Sequence, residues 1–181
     1  MPPTDDITLI HRFKNGDPST FEEIVRRHQD RIYNLCRYML QDTQDAQDAA
    51  QDVFVKAYAG LKGFKPDASL YTWLYRIAVN TCLDHKKKSR LEPLESESLI
   101  EDLPSTEPSP ERLYESKEIS RAVQGALQKL PDNLRAAIVL KEIEELSYEE
   151  IAEVLHTSLG TVKSRISRAR EELRRLLQKK V

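Results

Sequence analysis

The stretch Ser147-Tyr148-Glu149-Glu150-Ile151-Ala152-Glu153-Val154-Leu155, then His156-Thr157-Ser158, then Leu159-Gly160-Thr161-Val162-Lys163-Ser164-Arg165-Ile166-Ser167-Arg168-Ala169-Arg170 decides how this chain folds. Ser147 followed three positions later by Glu150 is a capping box: the hydroxyl accepts from the Glu150 amide, and the Glu150 carboxylate reaches back to the Ser147 amide. Ile151, Ala152 and Leu155 then recur at helical spacing. Ser158 is a good N-cap for a second helix, whose inner side reads Val162, Ile166, Ala169, Leu173 and Leu176. Two short helices joined by a tight turn make a helix-turn-helix. The second helix carries Lys163, Arg165, Arg168, Arg170, Arg174 and Arg175, opposed along its own length by Glu171 and Glu172. A helix that enters a DNA groove needs such cations. A merely solvated basic face is the alternative, but caps, turn and charge coincide here.

With Val162, Ile166, Ala169 and Leu173 turned to the core, 3.6 residues per turn points Ser164, Ser167 and Arg168 most directly outward. Lys163, Arg170 and Arg174 fall along one flank, spaced to follow a phosphate strand, and Arg165 lies on the other.

Length and composition narrow the class. The chain has 181 residues, enough for one or two small domains. Its formal net charge of −2 rules out a uniformly basic nucleic-acid coat, so DNA affinity must come from local patches. Cys36 and Cys82 both sit in helical patterns, which suits a reducing cytosol and gives a disulfide no support. No apolar run approaches the ~20 residues needed to span a bilayer, and the N-terminus lacks the regions of a signal peptide. Five glycines and little Val/Ile/Thr alternation argue against sheets. The expected fold is all-α.

From the N-terminus, Asp5 or Asp6 can cap a first helix holding Ile7, Leu9, Ile10 and Phe13, ended by Asn15-Gly16. Asp17-Pro18 starts a second, with a stripe of Phe21, Ile24, Val25, Ile32, Leu35, Cys36 and Met39. Cys36 and His28 on this stripe read as packing residues. A third helix over about Thr43–Ala59 puts Ala46, Ala49, Ala50, Val53, Phe54 and Ala57 on one side, and Asp48, Gln51, Asp52 and Val55 on the other. Acidic residues around an exposed aliphatic can be a docking patch. The residues alone favour an ordinary solvated face with one stray valine.

Gly60 to Asp67 reads as a loop. Helix four, about Ser69–Lys88, has Leu70, Trp73, Leu74, Ile77, Ala78 and Thr81 on its main face, with Tyr71, Tyr75, Val79 and Leu83 continuing the apolar character around it. Burial on more than one side is expected. Arg76, Asn80 and Lys87 form a polar edge. The basic run His85–Arg90 suits a helix C-terminus or a phosphate. Leu91 to Pro110 is acidic and proline-rich without apolar periodicity, a linker. It divides the chain into domains at 1–90 and 111–181. Helix restarts at Ser109-Pro110-Glu111 with Leu113, Ile119, Val123 and Leu127 inside, breaks at Pro131-Asp132, and resumes with Leu134, Ala137, Ile138 and Ile143.

The chain has no Walker motif, dinucleotide fingerprint, His-Glu-x-x-His or Cys-x-x-Cys, and its four histidines are scattered singly. Neither a catalytic constellation nor a metal or cofactor site is expected.

Three segments resemble a known family. Asp45-Ala-Gln-Asp48-Ala-Ala-Gln51-Asp52-Val-Phe54-Val-Lys56-Ala-Tyr58 resembles the core-polymerase-binding segment of a bacterial sigma factor. Phe64 through Trp73-Leu74, Ile77-Ala78, Asn80 and Asp84 resembles the adjoining segment that handles the −10 promoter element. Gly160 to Arg170 resembles the −35-reading helix. Two domains with none between are similar to the extracytoplasmic-function (ECF) group. The acidic linker carries no family motif.

The resemblance implies a specificity subunit for RNA polymerase, with no catalysis of its own. It assigns core docking to Asp45, Asp48, Gln51, Asp52, Val55 and Lys56, against the β′ clamp helices, and so turns the stray valine into a docking patch. It assigns −10 DNA to Phe64, Tyr75, Arg76, Asn80, Asp84 and Lys87, with a flipped base held by pocket contacts and stacking. It assigns −35 DNA to Thr161, Lys163, Ser164, Arg165, Ser167, Arg168 and Arg170, and contact with the β flap to the second domain. It also implies a cytoplasmic protein held by an anti-sigma factor. Two alternatives stay open. A free-standing repressor or activator would need a dimer-forming element, which is not evident. A protein-binding sigma mimic would lack the basic recognition helix, which is present.

Overall fold

A computed structural model describes residues 5–65, 69–91 and 110–178, with the backbone alone over 110–117. Eight α-helices and one 3-10 turn make up the described residues, without a strand. They are α1 (Asp6–Lys14), α2 (Ser19–Met39), α3 (Thr43–Gly60), the 3-10 turn Leu61–Gly63, α4 (Leu70–Leu91), α5 (Pro110–Lys129), α6 (Asp132–Glu142), α7 (Tyr148–Val154) and α8 (Leu159–Gln178).

The starts and stops follow local chemistry. Asp5 caps α1 by accepting from the Thr8 amide at 2.7 Å, and Gly16, at φ 95°, turns the chain away from it. Pro18 already has helical dihedrals and stands just before α2. Asp42 caps α3 through the Asp45 amide at 2.9 Å. Ser147 and Glu150 form both bonds of the expected capping box on α7. Ser158 caps α8 through the Thr161 amide at 3.2 Å.

The core of the N-terminal half is the α2 stripe (Ile24, Ile32, Leu35, Cys36, Met39) set against the α3 stripe (Ala46, Ala49, Val53, Ala57), all buried. Alanines along α3 let the backbones approach closely. α4 closes the layer and is buried on two sides, as expected: Leu74 and Ala78 on one, Tyr75 and Val79 on the other. Cys36 and Cys82 meet in this core as free thiols, and that contact together with burial holds the Cys82 thiol well above its usual range. His28 is partly buried, with Asp6 at 3.2 Å. Desolvation keeps its imidazole below the usual pKa, against the pull of Asp6. In the C-terminal half, Ala137, Ile138, Val139 and Leu140 of α6 pack with Ile151, Val154, Val162, Ile166 and Ala169.

Several sequence expectations change. Ile119 was expected inside, but it is 65 % exposed although it keeps the helical spacing of Val123 and the buried Leu127. Ile7 and Ile143 are exposed too, at 59 and 39 %. The stretch after α3 is no plain loop: it continues as the 3-10 turn and buries Leu61 completely. Helix four runs three residues further, to Leu91. Leu113 and the body of the linker, 92–109, lie outside the residues whose side chains are described.

The two halves also pack on each other. The last carbonyls of α2 have no partners inside their own helix. They are taken by side chains of the C-terminal half: Gln124 donates to Arg37 O, Gln128 to Tyr38 O and Leu40 O, and Arg135 to Met39 O. Lys86 of α4 pairs with Asp132 at the start of α6. Burial lowers the Lys86 ammonium pKa, against the pull of Asp132. Desolvation alone would raise Asp132, but Lys86, Arg135 and Arg90 together hold it low.

Candidate nucleic-acid and partner interfaces

The α3 face opposite the alanine stripe carries exposed Asp48, Gln51, Asp52 and Lys56, with Asp45 partly buried. Val55 in its midst is 68 % exposed, more than an isolated aliphatic needs to be. Asp42, Asp45, Asp48 and Asp52 also wall a cavity of about 600 Å³ between α3 and α4 whose far side is Asp84, His85 and Lys88. Burial, then Asp42 and Asp48, push the Asp45 carboxyl up. His85 Nε2 lies 2.8 Å from Asp52. Lys56 donates to Thr81 Oγ1 at 3.0 Å and lies 3.8 Å from Asp84. Asp84 therefore lines this acidic groove, though it shares the exposed face of α4 with Asn80 and Lys87 among the other residues assigned to −10 DNA.

Those others divide. Arg76 lines a second cavity, of about 410 Å³, together with Gly60, Gly63, Phe64, Lys65, Trp73 and Glu153. Its Nε is buried without a hydrogen-bond partner. Phe64 is 5 % exposed and meets Trp73 edge to face at 5.3 Å. A Cβ at Gly60 would stand 3.1 Å from the Trp73 ring, so this glycine gives the indole its place. Asn80 and Lys87 are exposed. Tyr75 is fully buried, because Glu144, between α6 and α7, covers its hydroxyl and accepts from it. That contact, like Arg31 and Tyr71 beside it, had no signal in the sequence.

The helix-turn-helix is as expected. His156 makes the turn between α7 and α8 with a left-handed φ of 45°. Lys163, Ser164, Ser167 and Arg168 point to solvent. Lys163 and Arg168 have no ion pair among the described residues. Thr161 and Arg165 are partly covered at the core edge. Arg170 differs: it donates to Glu142 of α6 through Nε at 3.0 Å and Nη2 at 2.6 Å. Lys163, Ser167, Arg170 and Arg174 border one shallow groove with Tyr148.

The comparisons with known proteins match the two halves of the chain in order. The model "Sigma-70 region 2" fits residues 24–92, and "Sigma-70, region 4" fits residues 120–173. The RNA polymerase sigma-H factor of Pseudomonas aeruginosa is 41 % identical, the alignment covering 96 % of this chain and 94 % of that one. The chain belongs to the sigma-70 family, in its ECF group. The ECF sigma factor SigW of Bacillus subtilis is 38 % identical, over 93 % of this chain and 95 % of its own. Among solved structures, CnrH in complex with the cytosolic domain of CnrY superimposes with a TM-score of 0.74 at 29 % identity, covering 97 and 99 % of the two chains. RpoE of Bartonella quintana, in complex with the anti-sigma factor NepR, gives 0.69 at 27 % identity, covering 87 and 96 %. The chain is thus a sigma factor, which binds core RNA polymerase and directs promoter-specific initiation. No helix among the described residues of this sigma factor is long and apolar enough to cross a membrane.

Proposed function

We propose that this sigma factor divides its work as two domains, 1–90 and 111–181, along the surfaces described. Asp45, Asp48, Gln51, Asp52, Val55 and Lys56 dock on the β′ clamp helices, with Val55 as the apolar centre of an acidic rim. The observation that carries this is Val55, 68 % exposed between carboxylates and backed by a stripe of buried alanines. Exposed aliphatics ringed by charge mark partner surfaces.

Phe64, Tyr75, Arg76, Asn80 and Lys87 handle the −10 element. The cavity beneath Phe64, Trp73 and Arg76 has the aromatic wall and the unpaired donor that a flipped base needs. Asp84, between Asn80 and Lys87 on the exposed face of α4, acts with them although it also lines the acidic groove. Lys163, Ser164, Ser167 and Arg168 read −35 bases. Arg165 and Arg170 hold its backbone, and Thr161 sits at the helix start, where amides face phosphate. The 111–181 domain contacts the β flap.

Nucleotide addition belongs to the polymerase, and the chain works in the cytoplasm without a cofactor. An anti-sigma protein controls it; RpoE of Bartonella quintana, whose arrangement this chain shares, is in complex with the anti-sigma factor NepR. The test is reconstitution with core RNA polymerase on a library of promoters. The chain is expected to co-purify with core and to select linked −35 and −10 elements. Binding to core without promoter selection would refute the promoter assignments.

A further inference from the structure

Three side chains meet where α2 and α4 face the C-terminal half. Arg31 Nη1 donates to the Tyr71 hydroxyl at 3.1 Å, and its guanidinium lies 5.4 Å from the centre of the Tyr71 ring. Tyr71 and Tyr75 stand edge to face, 4.2 Å between ring centres. Both hydroxyls donate to the same residue of the other half: Tyr71 to the Glu144 carbonyl at 3.3 Å, and Tyr75 to the Glu144 carboxylate. A guanidinium and two phenolic hydroxyls are thus gathered around Glu144, with Tyr75 on its carboxylate, Tyr71 on its carbonyl and Arg31 behind Tyr71; such donors are the constituents of an oxyanion site.

We propose that Arg31, Tyr71 and Tyr75 form a phosphate subsite for single-stranded promoter DNA, and that Glu144 occupies it as an internal stand-in while the two halves are closed. The inference rests on the −10 assignment above and deepens it. Phosphate is favoured over a carboxylate of another protein by position. Tyr71, Tyr75 and Arg76 lie within about 8 Å along α4 at roughly 1.5 Å per residue. That is a short reach for a nucleotide, so a strand with its base in the Trp73 cavity has its backbone within reach of the subsite. α7 contributes Glu153 to that cavity. The C-terminal half thus places one carboxylate at the phosphate subsite and a second at the base site. In the closed state Tyr75 is fully buried and cannot meet DNA. Opening exposes the cation and both hydroxyls together.

The probe is a fluorescently labelled single-stranded DNA of random sequence, titrated with the full-length chain and followed by anisotropy. Closure reduces apparent affinity by the fraction of open molecules, so Glu144→Ala should bind about three- to tenfold more tightly than the wild type. Adding Arg31→Ala should remove the gain. A methylphosphonate strand, which lacks backbone charge, should show none. If Glu144→Ala melts early, Glu144→Gln keeps the shape, removes the charge, and carries the same expectation. Unchanged affinity in a folded Glu144 variant overturns the proposal. So does a gain that survives Arg31→Ala or appears equally with the uncharged strand. An acidic peptide that binds the Glu144 variant through Arg31 when DNA does not would reassign the subsite to a protein partner. Asn80→Ala and Lys87→Ala test the −10 assignment separately: if neither weakens binding of the same probe, that assignment fails whatever Glu144 does.

Discussion

Arg135 of α6 donates through Nη1 to the carbonyl of Met39, the last residue of α2, at 3.0 Å across 96 positions of sequence. The same guanidinium donates to Leu127 O at 2.7 Å, Gln128 O at 2.7 Å and Leu130 O at 2.8 Å. It is 1 % exposed. One planar fork therefore satisfies the orphan carbonyls of two helix ends, α5 and α2, and ties one half of the molecule to the other.

Removing it takes this donor from the Met39, Gln128 and Leu130 carbonyls, while Leu127 O keeps the Leu130 amide at 3.1 Å; the cost is about 1–3 kcal/mol for each group left unpaired that water does not reach. Arg135→Leu, which keeps much of the volume, should cost about 3 kcal/mol or more of unfolding free energy. Arg135→Lys should recover only part, since a single ammonium cannot reproduce the fork. Urea denaturation followed by helical circular dichroism measures both. A midpoint for Arg135→Leu within error of the wild type would show that water reaches these carbonyls and that the fork adds little.

What could be read from the sequence was local. The Ser147–Glu150 box, the Ser158 cap and the α3 alanine stripe are patterns over three or four positions, and each is found where the pattern put it. The outward set Ser164, Ser167 and Arg168 followed from helical geometry alone and is exposed, as is Lys163 on the flank. The failures have a common cause in long-range contact. Tyr75 meets Glu144 across 69 positions, and no periodicity marks either partner. Arg135 reads as a polar helix residue, but its burial depends on where two other helices end. Ile119 was placed inside by its spacing, whereas burial depends on which stretch of a stripe a neighbour covers. Asp84 of α4 meets Lys56 of α3 at 3.8 Å, a pairing that no spacing within either helix marks.

The docking face allows a test that spares the fold. Asp48 is exposed and bonds only its neighbour Gln44, at 3.0 Å, and Val55 touches little. Asp48→Lys and Val55→Asp should leave thermal stability within about 0.5 kcal/mol of the wild type. A charge reversed inside a complementary interface costs several kcal/mol, so each variant should lose core-polymerase binding by about a hundredfold or more at that scale. A titration against immobilised core enzyme reads the loss. Equal affinities for both variants and wild type would remove α3 from the interface.

Closure should depend on pH through Glu144. Burial pushes its carboxyl above the ordinary value of 4.5, and the Tyr75 hydrogen bond and Arg31 only partly oppose this. In the open molecule the carboxyl is hydrated and titrates near its ordinary value. Between the two values the closed state holds more protons, so closure weakens as pH rises through that window and is constant on either side of it. Arg31 stays charged and the Tyr75 phenol, pushed far up by burial and by Glu144, stays protonated. His28, near Tyr71, is held below its usual value by burial. Its charging at acid pH works against the N-terminal half in every variant alike. Energy transfer between dyes on α3 and α8 should report opening with rising pH in the wild type. Glu144→Gln should flatten that dependence, and an identical pH profile in the Gln variant would assign the effect elsewhere.

The recognition helix separates base reading from phosphate holding, and Glu142 sharpens the distinction. Arg168 points outward with no ion pair among the described residues, whereas Arg170 is held by Glu142 through two hydrogen bonds. A cation already fixed on a carboxylate at the helix flank suits a backbone contact, and DNA must draw it away from Glu142. Arg168→Ala should therefore relax preference at one base pair of the −35 element, at about 1–3 kcal/mol. Arg170→Ala should weaken all sequences alike and lower the salt slope by about one unit. Glu142→Ala should do the reverse of Arg170→Ala: it frees the guanidinium, raising affinity for every sequence without altering the preferred one. Holoenzyme binding to a promoter library at several salt concentrations distinguishes the three. A shift of sequence preference in Arg170→Ala, with none in Arg168→Ala, would exchange the two roles.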